Sequence, residues 1–183
     1  THPVIVGELQ GKGANETWAG RKAKEEIIDP LKIAHKDIVV SVFDIDTQIM
    51  THYFSCLTHK YLTTPDPTHS SFQPIAVYNN NVWDAPAVSR VIATSGTFWQ
   101  MMQQERADRL VTFSSHSMIF KALVEMDFWS TKNVSEDSRI FWQALLFYDG
   151  NYKAVPMYYP VSMDANLAPT LRQTMINVYK QQR

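Results

Sequence analysis

Residues 38–46 have the sequence IVVSVFDID, in which an apolar and largely β-branched run ends in Asp44 and Asp46. Such a run is typical of a buried β-strand. Side chains two positions apart on a strand point to the same face, so both carboxylates could meet one ligand. Two hard oxygen donors suit Mg²⁺ or Mn²⁺, which in turn hold phosphate oxygens. The alternative is a strand end or turn that carries acidic side chains without a ligand.

Length and composition indicate one globular domain with a hydrophobic core. The chain has 183 residues, of which 45% are hydrophobic and 19% are charged, an ordinary balance for such a domain. The net charge of −1 excludes the basic footprint of a nucleic-acid-binding protein. A single cysteine, Cys56, excludes a disulfide framework and fits a reducing compartment. No apolar run reaches the ~18 residues of a membrane span.

Strands alternate with helices along the chain, which predicts an α/β domain with a mixed sheet flanked by helices. The expected strands are 3–9, 38–45, 73–78, 110–113 and 152–155. The expected helices are 14–28, 47–62, 86–106 with an interruption near Gly96, 117–126, 138–147 and 169–182. Large aromatic side chains, including the stretch Phe98–Met102, are expected mainly in the core. The alternatives are a membrane-surface role for that stretch and a sugar-stacking role for Trp129.

Three further motifs carry polar chemistry. Lys12, in a glycine loop that opens a helix, could bind an anion, although a solvated lysine is the simpler reading. Glu136 and Asp137 follow Ser135 and precede an apolar helix, so they could be helix-start residues or could supply a carboxylate general base. The final residues 180–183 could be a solvated helix end or could help to hold a pyrophosphate.

Taken in order, these motifs resemble those of processive, membrane-associated family 2 glycosyltransferases. The segment 11–15 resembles the family's lysine-alanine-glycine-asparagine motif, and 42–46 lies where the family carries its DxD motif. Residues 135–137 resemble the [Thr/Ser]-Glu-Asp motif, and 181–183 resemble the start of Gln-x-x-Arg-Trp. The resemblance covers nearly the whole chain. It implies a GT-A fold, a nucleotide-diphosphate-sugar donor, Mg²⁺ or Mn²⁺, and inversion at the anomeric carbon.

The resemblance also implies roles for individual residues. Asp44 would lie near the sugar nucleotide and Asp46 would bind the metal, with Asp44 as the second candidate metal ligand. Asp137 would be the general base that deprotonates the acceptor hydroxyl, supported by Glu136. Lys12 and Gln181 would contact the donor. Residues 113–120 would shape the sugar pocket, where His116 departs from the small residue that is commoner in the family, so its role stays open.

Both ends of the chain look interrupted, at Thr1 and at Arg183. We therefore expect a partial GT-A catalytic domain, residues 1–183, that lacks its N-terminal nucleotide-binding part. By the resemblance, the parent protein would be held at the cytoplasmic face of a membrane by segments outside this chain, and would use a carbohydrate or lipid-linked acceptor. The fragment itself would be soluble and could be inactive alone.

Two other functions remain open from the sequence. A haloacid-dehalogenase-like phosphatase or phosphotransferase also places Asp-x-Asp after an apolar strand. That family needs Thr or Val two residues after the second aspartate, where this chain has Gln48. The other possibility is a binding fragment that keeps the fold without turnover.

Overall fold

The computed structural model describes residues 2, 3, 5–133 and 135–182, with 181 and 182 described by their backbone alone. The strands are β1 Val39–Val42, β2 Gln48–Ile49, β3 Ser70–Tyr78, β4 His116–Ile119 and β5 Lys153–Met163. They form one mixed sheet in the order β1-β4-β3-β5-β2. β3 and β5 are parallel, and the other neighbouring strands are antiparallel. As a result, β1, β3 and β5 run in the same direction and end at the same edge of the sheet.

Six α-helices accompany the sheet in the described part of the chain, which is therefore an α/β protein. They are α1 Lys12–Ala23, α2 Tyr53–Thr63, α3 Ala87–Gln104, α4 Phe120–Glu125, α5 Glu136–Phe147 and α6 Leu171–Gln182. A π-helical turn, Lys24–Ile28, extends α1, and short 3₁₀ turns occupy His35–Asp37 and Pro67–His69. None of the described helices combines the length and the hydropathy needed to cross a bilayer.

The pleat of β1 divides its side chains between two hydrophobic clusters. Val40 and Val42 pack against a cluster that includes Ile140 of α5. Val39 belongs to the opposite cluster, which is centred on Tyr53 of α2. Burying a large apolar side chain contributes roughly 1.5–3 kcal/mol to folding. Helices therefore cover both faces of the sheet. Packing on both faces holds β1 in place, and with it the turn that follows β1 and carries Asp44.

Several predicted elements differ from the structure because strand pairing overrides local pattern. The predicted helix 47–62 begins only at Tyr53. Its first part instead contains β2, which pairs with β5 as the outermost strand of the sheet. The predicted helix 117–126 is β4 followed by α4, because β4 is buried and pairs with both β1 and β3. Residues 110–113 and the described residues 5–9 form no strand, and α3 passes through Gly96 without interruption.

The aromatic side chains also depart from expectation. Trp129 is only 3% exposed and belongs to the core, so a sugar-stacking role for it is wrong. The stretch Phe98–Met102 does not pack in the core as predicted. Phe98 and Trp99 are 64% and 60% exposed, and both methionines of the stretch are also exposed.

Candidate active site

Segments that are distant in sequence meet at the end of the sheet where β1, β3 and β5 terminate. Asp44, Tyr78 and Asp164 lie at these carboxyl ends of the three strands. Lys12, the first residue of α1, and Asp137, the second residue of α5, complete the cluster. Crevices outside the carboxyl ends of strands are where open α/β sheets commonly bind ligands. The fold therefore brings the sequence candidates Lys12, Asp44 and Asp137 to a place suited to ligand binding.

Ser114 connects this cluster, although the sequence placed it only within the segment 113–120. Its hydroxyl donates to Oδ2 of Asp44 at 2.5 Å, and its backbone N–H donates to Oδ2 of Asp137 at 2.7 Å. Its carbonyl accepts a hydrogen bond from Nζ of Lys12 at 2.9 Å. Ser114 has a φ of 50°, which is uncommon for a residue other than glycine. One residue thus holds three candidate side chains in fixed relative positions.

Lys12 is the cation of the cluster. Its Nζ donates to Oδ1 of Asp44 at 2.5 Å and lies 3.7 Å from Oε1 of Glu16. Burial lowers the pKa of Lys12, but the hydrogen bond to Asp44 and the charges of nearby carboxylates outweigh this, so the pKa is raised above its ordinary value. The first-turn amides of α1 add positive potential at the same place. Lys12 is therefore charged at neutral pH and is suited to meet an anion.

Asp44 and Asp46 do not lie side by side on a strand, as the pattern predicted. β1 ends at Val42, and Asp44 begins a turn closed by a hydrogen bond from the Thr47 N–H to the Asp44 carbonyl at 3.0 Å. The backbone carbonyl of Asp46 accepts a hydrogen bond from the side-chain amide of Asn80 at 2.9 Å. Asp44 and Asp46 therefore belong to a turn that follows β1, and not to one face of the strand.

Asp46 is the carboxylate better placed to hold a divalent cation. Its Oδ2 accepts a hydrogen bond from the Asp164 N–H at 3.1 Å, and its Oδ1 makes no hydrogen bond to a described residue. Both oxygens of Asp44 accept hydrogen bonds, from Lys12 and Ser114. Among the described residues, no group of three or more His, Cys, Asp or Glu side chains could hold a metal ion. Mg²⁺ is commonly bound by one or two carboxylates together with substrate phosphates. The residues present therefore fit a cation that binds together with a diphosphate.

Glu136 packs closely against the start of α1. Its side chain is buried, 5% exposed, and burial raises its pKa. A Cβ on Gly13 would lie 3.0 Å from Cβ of Glu136 and 2.7 Å from the backbone carbonyl oxygen of Ser130. Only glycine allows this approach. The contact sets the distance between the helix that carries Lys12 and the helix that carries Asp137.

We expect Gly13→Ser to lower the free energy of unfolding by roughly 1–3 kcal/mol, because the added Cβ must displace the backbone at Ser130. The matched control is Gly11→Ser. Gly11 has an extended backbone with φ −171°, and its added Cβ would meet nothing within 4 Å. Serine is also a preferred residue at this helix N-cap. Urea denaturation of both variants is the measurement, and equal losses would contradict this packing.

Two further ionisable side chains belong to the cluster and were not singled out from the sequence. Burial raises the pKa of Glu16 to about 8, although Lys12 opposes the shift. Burial together with the charges of Asp44 and Asp46 raises the pKa of Tyr78 to about 12. Glu16 lies four residues after Lys12 on α1, a spacing at which helical side chains are neighbours. That spacing could have identified Glu16, whereas the position of Tyr78 depends on the sheet.

Two candidates from the sequence, His116 and Gln181, are not among the side chains of the cluster described above. His116 is only 1% exposed, and neither ring nitrogen has a hydrogen-bond partner among the described residues. Burial lowers the pKa of His116 to about 4, so its imidazole is neutral at neutral pH. The structure thus places His116 in the core beneath the cluster.

The side chain of Gln181 and the whole of Arg183 lie outside the described residues, so neither can be placed relative to the cluster.

Two cavities adjoin members of the acid cluster. One has a volume of about 1020 Å³ and is lined by residues around the start of α1 and after β1, among them Leu9, Lys12 and Asp44. The other has a volume of about 510 Å³ and lies between α3, α6 and the loop after β5, with Tyr78 and Asp164 in its wall. Cavities of these sizes are typical of small-molecule sites. A further cavity of about 1030 Å³, on the outer face of α5, contains none of the clustered acids.

The arrangement therefore places the charged Lys12 and the carboxylate of Asp44 in the wall of one cavity, and leaves one oxygen of Asp46 without a hydrogen bond to a described residue. Comparison of this chain with protein-family models, with curated protein sequences and with solved structures found no match.

Proposed function

We propose that this chain carries the catalytic centre of a metal-dependent, inverting glycosyltransferase with a GT-A-like fold, as its resemblance to family 2 implies. The reaction moves a sugar from a nucleotide-diphosphate-sugar to an acceptor hydroxyl. One observation carries the proposal: Ser114 hydrogen-bonds both Asp44 and Asp137, at 2.5 and 2.7 Å. The Ser114 carbonyl also accepts a hydrogen bond from Lys12, so one residue joins motifs that resemble the family in three separate segments. Lys12 and Asp44 also line one cavity.

The donor diphosphate is assigned to the side of Lys12. The charged Nζ of Lys12 and the first-turn amides of α1 offset the negative charge of the phosphates. Asp44 orients Lys12 through their hydrogen bond. Asp46 would hold Mg²⁺ or Mn²⁺, which supplies further neutralisation of the diphosphate as it leaves.

Asp137 is assigned as the general base. Its Oδ2 accepts the Ser114 N–H at 2.7 Å and its Oδ1 accepts the Ser138 N–H at 2.8 Å. A carboxylate has about four lone-pair sites, so it can also accept a hydrogen bond from an acceptor hydroxyl. Asp137 takes that proton while the acceptor oxygen bonds to the anomeric carbon. The bond from that carbon to the diphosphate breaks on the opposite face, so the configuration inverts.

The direct test is donor binding to the full-length protein, measured by isothermal titration calorimetry with UDP-glucose, UDP-N-acetylglucosamine and GDP-mannose, each with and without Mn²⁺. We expect Mn²⁺-dependent binding of at least one donor, weakened roughly tenfold or more by Asp46→Asn because a metal ligand is lost. The control is Asp108→Asn, an exposed aspartate of the loop after α3.

Two results would count against the transferase. One is the absence of Mn²⁺-dependent binding for all three nucleotide sugars, and the other is unchanged binding by Asp46→Asn. Trapping of a beryllofluoride adduct on Asp44 would instead support the phosphatase reading, since that chemistry requires an aspartyl-phosphate.

A further inference from the structure

Gln73 of β3 is a buried polar side chain at the point where the pairing of β3 with β4 ends. It is 1% exposed. The last paired residues are Phe72 of β3 and Ser117 of β4. Gln73 is followed by Pro74, and proline has no backbone N–H with which to continue the pairing. Backbone groups of the segment that precedes β4 therefore need partners other than a strand.

The side-chain amide of Gln73 supplies these partners. Its Oε1 accepts the Phe113 N–H at 2.8 Å, and its Nε2 donates to the Phe113 carbonyl at 3.1 Å. The same Nε2 donates to the Ser115 carbonyl at 3.2 Å and to the Pro74 carbonyl at 3.0 Å. The amide oxygen can only accept and the amide nitrogen can only donate, so one orientation of the side chain fits these partners. Gln73 thus holds the backbone on both sides of Ser114.

Ser114 has a backbone conformation that needs such support. Its φ of 50° lies in the left-handed region, which is unfavourable for residues other than glycine and asparagine. Such conformations persist where the surrounding structure holds them in place. The groups bound by Gln73 belong to Phe113 and Ser115, the two neighbours of Ser114 in the chain. The glutamine therefore stabilises the conformation that Ser114 adopts in the site.

Ser114 in turn contacts three groups of the proposed site. Its N–H donates to Asp137 at 2.7 Å, and its hydroxyl donates to Asp44 at 2.5 Å. Its carbonyl accepts from Lys12 at 2.9 Å. Because all three contacts come from one residue, a change in its backbone conformation would alter the positions of all three side chains together.

The proposed metal ligand, Asp46, is held independently of this segment. Its backbone carbonyl accepts from the side chain of Asn80 at 2.9 Å, and its Oδ2 accepts the Asp164 N–H at 3.1 Å. These contacts come from the loops that follow β3 and β5, and not from residues 113–115. Loss of the Gln73 amide should therefore disturb the general base while leaving Asp46 in place.

We propose that Gln73 is a positioning residue of the transferase site, which acts through Ser114 and keeps Asp137 and Lys12 in their relative positions. This inference rests on the proposed function, because it names a residue that serves the same site without contacting a substrate. It also accounts for a glutamine at a buried position of β3, where an apolar side chain would avoid the cost of desolvating an amide.

The test compares Gln73→Met with Gln104→Met in the full-length protein. Gln104 is a matched control, since it is also 1% exposed and its Oε1 also accepts a backbone N–H, that of Tyr158. Tyr158 has a φ of 54° and lies in the middle of β5, away from the strand end at Met163. Methionine keeps the length of glutamine and removes the hydrogen bonds of the amide. The melting temperature of each variant is measured first, and transfer is measured below both values.

We expect Gln73→Met to lower the transfer rate at saturating donor by about 10- to 100-fold, because misplacement of reacting groups by about 1 Å has effects of this size. Donor affinity in the presence of Mn²⁺, measured by calorimetry, should fall by a smaller factor because Asp46 is held elsewhere. Gln104→Met should transfer sugar like the unmodified protein. An equal loss of rate in the two variants, or an unchanged rate in Gln73→Met, would overturn the positioning role.

Gln73→Glu tests the hydrogen bonds that Nε2 donates, and it decides the question if Gln73→Met does not fold. Its carboxylate can accept the Phe113 N–H but repels the carbonyls of Phe113 and Ser115. The protonated acid can donate to one of those carbonyls. We expect its transfer rate relative to the unmodified protein to rise as the pH falls from about 8 to about 5, since burial favours the protonated acid. A ratio that does not change with pH would contradict the assigned hydrogen bonds.

Hydrogen exchange of the Ser114 amide, measured by NMR, separates failure of this inference from failure of the proposed function. We expect this amide to exchange roughly tenfold faster or more in Gln73→Met and to stay protected in Gln104→Met. If transfer and protection both survive in Gln73→Met, the positioning role is wrong and the transferase stands. If the unmodified full-length protein transfers no sugar, the proposed function fails, and faster exchange in Gln73→Met would support only the structural link to Ser114.

Discussion

Asp137→Asn in the full-length protein is expected to lower the rate of sugar transfer by roughly 100- to 10,000-fold, the usual contribution of a positioned general base. An asparagine cannot take the proton from the acceptor hydroxyl. Donor binding should be nearly unchanged, because the base acts in the transition state and the proposal assigns the donor to Lys12 and Asp46. The measurements are the transfer rate and, on the same protein, donor affinity by calorimetry.

The control for this variant is Asp127→Asn. The Asp127 side chain is 82% exposed and pairs with Arg21 at the surface. Its φ is 60°, a conformation that asparagine tolerates well. Transfer should be retained in the control. A wild-type rate in Asp137→Asn would show that another group removes the proton, and a parallel loss of donor binding would mean that the substitution disturbs the Ser114 contact.

The second large effect concerns the pH dependence of stability. Burial raises the pKa of Glu16 from 4.5 to about 8 in the folded chain. Between these two values the folded state keeps a proton that the unfolded state has lost. The resulting stabilisation is fully present below pH 4.5 and is lost as the pH rises through about 8. We expect a slope that approaches about 1.4 kcal/mol per pH unit at most within this window.

Glu16→Gln should remove this slope, since glutamine resembles the protonated acid at every pH. The measurement is the free energy of unfolding of the unmodified chain and of Glu16→Gln, obtained in urea from pH 5 to pH 8. Taking the difference between the two proteins cancels the contributions of groups that titrate in both. Glu26→Gln is the control, because Glu26 is 66% exposed and faces Lys22 at the same four-residue spacing on the α1 extension. A difference that does not change with pH would mean that Glu16 is ionised throughout.

The same shift bears on how the site works. If Glu16 is protonated at neutral pH, the ammonium group of Lys12 interacts mainly with the carboxylate of Asp44 and is available to an incoming phosphate. Glu16→Gln should therefore change donor affinity little, whereas an ionised Glu16 would compete for Lys12.

Much of the fold followed from local signals. The β-branched run before Asp44, the helix that begins near Lys12 and the acids that begin α5 each lie within a short window, so periodicity and helix-start preferences could predict them. The segment 116–119 could not be predicted in this way. It is a strand because β1 and β3 pair with it from both sides, and no window around it contains those partners.

The sequence by itself determined the α/β class and the identity of the candidate acids Asp44, Asp46 and Asp137. Only the tertiary structure decided what surrounds them. Ser114 reaches Lys12 and Asp44 from 102 and 70 residues away. The pKa of Glu16 and the cavity beside Tyr78 likewise depend on the packing of the chain. Burial and long-range contacts are properties of the packed chain, because the same side chains in isolation would be solvated and far apart.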